Sequence, residues 1–171
     1  MKRLSLLLTS SFILVCFGLS AQDFEPYPHE DVLSWDTSPY ESYIYAAIPF
    51  RIMFPPGYNQ SGSEKYPLIL FFHGAGERGT DNEIQLVHGG LIHRDAVTSG
   101  EFPGILLYPQ HSNDGGTWGD TWINRAKQVV DKLLADYNVD PNRIYVHGLS
   151  GGGEATWRFA GLNPTYPAAI H

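Results

Sequence analysis

The chain has 171 residues, 43% hydrophobic and 17% charged, a composition that fits one globular core and excludes both a disordered chain and two full domains. Its formal charge is −7 and no basic run appears outside Lys2-Arg3, which excludes a nucleic-acid binder and leaves an acidic solvated surface. The single cysteine, Cys16, lies in the leader described next, so the mature chain has no thiol for a disulfide, a thiolate metal site or a cysteine nucleophile.

Met1–Ala21 reads as a secretory signal peptide. Lys2 and Arg3 form its positive start, Leu4–Leu19 is largely apolar, and Ser20-Ala21 is a small-residue end. A membrane anchor is the competing reading. Against it stand Ser5, Thr9, Ser10, Ser11 and Gly18 within the apolar part, and the lack of a charged stop after it. Cleavage after Ser20 or Ala21 gives a secreted or periplasmic protein with no remaining membrane span. Removing residues 1–21 takes away two cations and no acid, so −7 becomes −9.

Residues 22–42 form a polar, proline-containing lead-in, and the folded domain runs from 43 to 171. Tyr43–Phe54 mixes β-branched and aromatic residues up to Pro55-Pro56-Gly57, which predicts two short strands with a kink around Ala46–Pro49. Pro67–Phe72 is a continuous apolar run of the kind that suits a strand covered on both faces. A weaker helix is predicted within Asn82–His93, cut short by Gly89-Gly90. Gly104–Pro109 and Arg143–His147 repeat the buried-strand character. Between them, Trp122, Ile123, Ala126, Val129, Val130, Leu133, Leu134 and Tyr137 fall on one helical stripe, with Asp120 placed to cap its start. Buried strands alternating with helices imply an α/β fold, a mostly parallel sheet with helices on both faces. In such sheets chemistry gathers beyond the carboxyl ends of the strands. Here those ends are His73-Gly74-Ala75-Gly76, Gln110-His111-Ser112 and Gly148-Leu149-Ser150.

Gly148-Leu149-Ser150-Gly151-Gly152 matches G-x-S-x-G directly after a buried strand and before a helix-compatible stretch, the context of a nucleophile elbow. A strand that turns sharply into a helix strains the serine backbone, and side chains two positions to either side would collide. Ser150 is therefore the candidate nucleophile, and the N–H of Gly151 a candidate oxyanion donor. A flexible Gly/Ser loop is the bland alternative. A phosphate-binding loop fails because no Lys-Ser/Thr pair follows the glycines. His73, Gly74 and Gly76 mark the loop that would complete the oxyanion hole, with Glu77 and Arg78 expected to brace it as an ion pair.

Phe71–Gly79 followed by Asp81-Asn82-Glu83 resembles the oxyanion segment of the secreted phospholipase/carboxylesterase-like branch of the α/β-hydrolases. That branch shades into dienelactone-hydrolase-like and prolyl-oligopeptidase-like esterases. Asp140–Val146 before the elbow and Leu107-Tyr108-Pro109-Gln110 resemble the same group, over about Tyr43 to Ile170. The resemblance implies an α/β-hydrolase fold in its N-terminal part, with Ser150 as nucleophile and the N–H groups of Ala75 and Gly151 as the oxyanion hole. Relatives often carry Met or Gln where this chain has Gly151. The family order places an acid and then a histidine after the serine. Only Glu154 and His171 follow here, the first about one helical turn past Ser150 and the second at the start of a strand, so the chain is expected to stop mid-fold and to be a poor catalyst alone.

Among upstream histidines, His73 is expected to bond backbone, His147 to pack in the core, and His88 and His93 to lack the acids of a metal site. His111, with Gln110, Trp118 and Trp122, is expected to line the substrate pocket. No metal or cofactor is expected. The leading function is hydrolysis of a small-molecule or carbohydrate-linked acyl ester. A serine peptidase and a non-catalytic carbohydrate-binding module on a hydrolase scaffold are the alternatives, and oligomeric state is not legible.

Overall fold

The computed structural model describes residues 23–112 and 116–171; the leader at 1–21 lies outside them, as does Asp114, which the sequence suggests as a turn residue. Seven strands form one sheet: β1 (Glu25–Pro26), β2 (Glu41–Tyr45), β3 (Ile48–Met53), β4 (Tyr66–Phe72), β5 (Ile105–Pro109), β6 (Val139–Gly148) and β7 (Ala169–Ile170), in the order β1-β2-β3-β5-β4-β6-β7. The strands β5, β4, β6 and β7 run parallel, and β1–β3 add an antiparallel edge. Three α-helices cover the sheet: α1 (Gly90–Ser99), α2 (Asp120–Asp136) and α3 (Gly151–Leu162).

The period of two along the strands sorts the core into two layers. Leu68, Leu70 and Phe72 of β4 and Ile105 and Leu107 of β5 pack with Ile123, Val129, Val130 and Leu133 of α2 and Phe159 of α3. The intervening Phe71, Leu106 and Tyr108 face the other way, with Leu86 and with Val97 of α1. That two-sided burial is why these strands read as continuous apolar runs.

Several boundaries differ from the sequence reading. The kink at 46–49 is a tight β2–β3 hairpin in which Ala46 and Ala47 both take positive φ, 51° and 57°. The lead-in joins the domain. Its Phe24 is buried against Phe50 and Tyr137, and β2 begins at Glu41, so the 42/43 boundary falls inside a strand. Gly89-Gly90 starts a helix and does not end one. Gly89, at φ 93°, caps α1, and only a 3-10 turn over Ile84–Leu86 precedes it. Asp120 is the first residue of α2 and not its cap, which is Gly119; the Asp120 carboxylate accepts from Arg158 at 2.6 Å. Asp140–Arg143 bulges out of β6, where Asp140 accepts from the Asn142 N–H and from Arg143. Among the described residues no helix is long and apolar enough to cross a membrane.

Candidate active site

Phe72 and Gly148 are neighbours in register, so the loops that leave β4 and β6 do so at one level of the sheet. The Leu149 N–H donates to Phe72 O at 3.2 Å, and Ser150 follows at φ 55°, ψ −118°, immediately before α3. This is a left-handed backbone that a non-glycine residue holds at a cost of about 1–3 kcal/mol. The flanking glycines explain how it is held. A Cβ at Gly148 would stand 2.1 Å from Gly152 O, and one at Gly152 would stand 1.9 Å from Phe72 O. Only with both side chains absent do strand, turn and helix close on each other. Ser150 is exposed, at the N-terminus of α3, where the helix dipole favours negative charge.

The loop after β4 lies against this turn. A Cβ at Gly74 would come 3.3 Å from Leu149 O and 3.6 Å from Ser150 Cβ, and a Cβ at Gly151 would come 3.8 Å from the Ala75 nitrogen. Gly76 has open space around it. Among the described residues neither the Ala75 N–H nor the Gly151 N–H meets a backbone acceptor. Two unpaired donors therefore flank an exposed serine hydroxyl, and no described side chain hydrogen-bonds that hydroxyl.

The loop is anchored from behind. His73 is buried, its Nδ1 lies 2.7 Å from Gly74 O, and its Nε2 accepts the His111 N–H at 3.2 Å. Those partners assign the proton to Nδ1, and burial pushes the imidazole down to about 3, so the ring is neutral. Trp118 Nε1 donates to His73 O at 2.9 Å. The expected Glu77–Arg78 pair is replaced by other contacts. Glu77 faces His88 at 3.5 Å, while Arg78 donates to Ala75 O and Gly116 O. Behind the loop, Arg51 of β3 is wholly buried and donates to Glu83 at 2.7 Å, to Tyr40 O and to Thr37 O. Sequence reasoning missed this pair. The available signal was a single cation inside the apolar run of β3.

The four pocket residues divide. His111 and Trp122 line a cleft of about 280 Å³ beside the elbow, together with Thr117, Thr121 and Arg125. Gln110 does not line it: its side chain is buried, accepts the Asn82 N–H and donates to Glu77 O and Asp81. Trp118 stands behind the wall, edge-on to Phe72. His111 stacks on His73 at 4.9 Å, turns Nδ1 toward Ser112 O and forms part of the cleft wall. His147 is half-buried against Phe71, His93 and His171, not enclosed in the core as expected. His93 meets the Tyr108 hydroxyl.

One group among the described residues has metal-ligand spacing, His29, Asp31 and Glu83, with ligand atoms within 4.8 Å of one another. Glu83 already accepts from Arg51 and from the Thr37 hydroxyl at 2.9 Å, and the buried guanidinium supplies the positive charge a cation would bring. It is an ion-pair cluster.

The chain superposes on the crystal structure of a thermostable esterase with a TM-score of 0.69 and 31% identity, covering 78% of this chain and 40% of that one. A feruloyl esterase module from Clostridium thermocellum matches 88% of this chain and 61% of its own, at TM-score 0.58 and 19% identity. The bifunctional acetylxylan esterase/xylanase XynS20E of Neocallimastix patriciarum is 28% identical over 97 residues, 53% of this chain and 13% of that protein. No family model matches. The fold is that of the α/β-hydrolases, of the esterase-like kind. The chain spans about two-fifths of the thermostable esterase's length.

Proposed function

We propose that this chain supplies the nucleophile and the oxyanion hole of a serine esterase acting on carbohydrate-linked acyl esters. The observation that carries the reading is Ser150 at φ 55°, exposed at the start of α3 beside the unpaired N–H groups of Ala75 and Gly151. In this reaction the Ser150 Oγ attacks the ester carbonyl carbon, and the carbonyl oxygen takes the negative charge. The two N–H groups and the α3 N-terminus stabilise that charge, with roughly 2.7–4 kcal/mol from a single donor. Collapse of the tetrahedral species expels the alcohol and leaves an acyl-serine, which water then hydrolyses. The Ser150 proton requires a base. The likeness to an acetylxylan esterase/xylanase and to feruloyl esterase structures supports sugar-linked acyl esters as the substrate class.

The test is hydrolysis of 4-nitrophenyl acetate and of acetylated xylan by the native protein and by its Ser150→Ala variant. The expected outcome is acetate release that falls by at least about 10³-fold in the variant. Turnover that survives Ser150→Ala contradicts the reading.

A further inference from the structure

Charge is unevenly matched across this molecule. Arg51 pairs with Glu83, Arg94 with Asp95, Lys127 with Asp131, Lys132 with Asp136, Arg143 with Asp140 and Arg158 with Asp120. Among the described residues three cations have no carboxylate: Lys65, Arg78 and Arg125. Two of those three border the cleft beside Ser150. Arg125 lines it, and Arg78 is tied to Gly116, which also lines it. In a chain of net charge −7, two cations without a carboxylate partner among the described residues therefore stand together at one cleft.

The guanidinium of Arg125 is also held ready. Its Cζ lies 4.6 Å over the Trp122 ring, and its Nη1 donates to Ala47 O in the β2–β3 hairpin at 3.2 Å. Stacking and one backbone bond fix the head at little further entropic cost. The Nε and Nη2 donors, which have no acceptor among the described residues, remain as a planar fork. The exposed Thr117 and Thr121 add hydroxyls to the same cleft. Among the described residues the carboxylate nearest to Arg125 in sequence, Asp120, is paired with Arg158. The cleft is continuous with the elbow: a Cβ at Gly151 would lie 3.9 Å from Thr117 Cγ2.

We propose that this cleft is a carboxylate-recognising subsite, anchored on Arg125 and fitted to a uronic-acid unit of the ester substrate. The purpose of the subsite rests on the esterase reading, but its binding does not. A single free guanidinium fork matches a monoanionic carboxylate, while Trp122 and the two threonines suit the ring and hydroxyls of a sugar.

The experiment titrates the full chain carrying Ser150→Ala, which cannot turn over, with methyl β-D-glucuronoside, methyl β-D-glucoside and glucose 6-phosphate, followed by tryptophan fluorescence and calorimetry. The glucuronoside is expected to bind at least about tenfold tighter than the glucoside, the equivalent of one charge-assisted hydrogen bond. Arg125→Gln should abolish that preference, and Arg125→Lys, which keeps the charge and loses the fork, should reduce it. Thermal melts show whether each variant is folded, and the lysine variant answers the question if the glutamine variant is not. Equal binding of the two glycosides, tighter binding of the phosphate, or a preference that survives both substitutions overturns the proposal. Hydrolysis of 4-nitrophenyl acetate by the native protein tests the esterase reading by itself, and glycoside binding to the Ser150→Ala chain requires no turnover, so the two failures are distinguishable.

Discussion

Gly148 and Gly151 stand three residues apart on the same turn and answer differently to an added methyl group. At Gly148 a Cβ meets Gly152 O at 2.1 Å, a backbone atom that cannot swing aside; at Gly151 its nearest neighbours are 3.8 and 3.9 Å away. Gly148→Ala should therefore destabilise the protein by about 1–3 kcal/mol or more, the cost of overpacking against fixed atoms. Gly151→Ala should change stability by no more than about 0.5 kcal/mol. Urea melts of the two variants check the contrast, and equal losses would contradict this account of the turn. The need for glycine on both sides of Ser150 was legible in G-x-S-x-G. The identity of what they avoid was not, because Phe72 lies 80 residues from Gly152 in the chain and only the sheet register brings its carbonyl there.

At the scale of elements, the loop after β4 is positioned by two buried groups of opposite character. Arg51 and Glu83 form a fully enclosed pair. Arg51→Met strips one partner and leaves a buried carboxylate, which should cost about 3–5 kcal/mol. A chemical melt unchanged within error would contradict that. His73 is the neutral clamp, held down to about 3 by burial, against an ordinary value of 6.5. Between those values the unfolded chain binds a proton that the folded chain refuses. This contribution to stability is therefore complete above pH 6.5 and is lost as pH falls through the window toward 3. His93, pushed down to about 4 by burial and then by His147, acts in the same direction. A melting temperature that falls between about pH 7.5 and about pH 5 is the expected result, and a flat profile would contradict neutral burial. The strands and α2 were legible because burial on two faces and a single helical stripe leave clear apolar patterns. The start of α1 was not. Glycine usually marks a helix end, and here a left-handed Gly89 opens one with no side-chain cap.

Seen as a whole molecule, the two ends of the sheet differ from its centre. β1 and β7 are two residues each and have a neighbour on one side only among the described residues. Of the two, β7 was legible as the strand expected to start before His171, whereas β1 was not, since it is defined by pairing and not by its own composition. Large apolar side chains also meet solvent, Ile92 of α1 at 74% and Trp157 of α3 at 73% exposure. Residues 22–171 should consequently bind an apolar dye such as ANS and scatter light increasingly with concentration, and Ile92→Glu with Trp157→Glu should reduce both. Signals unmoved by the double change would place the stickiness elsewhere. The central claim, that Ser150 is the nucleophile, is tested most directly by intact-mass and peptide mapping of the native protein after treatment with a fluorophosphonate probe. A single adduct on Ser150 that disappears in Ser150→Ala is the result expected, whereas an adduct on another residue, or labelling that survives the substitution, would contradict it.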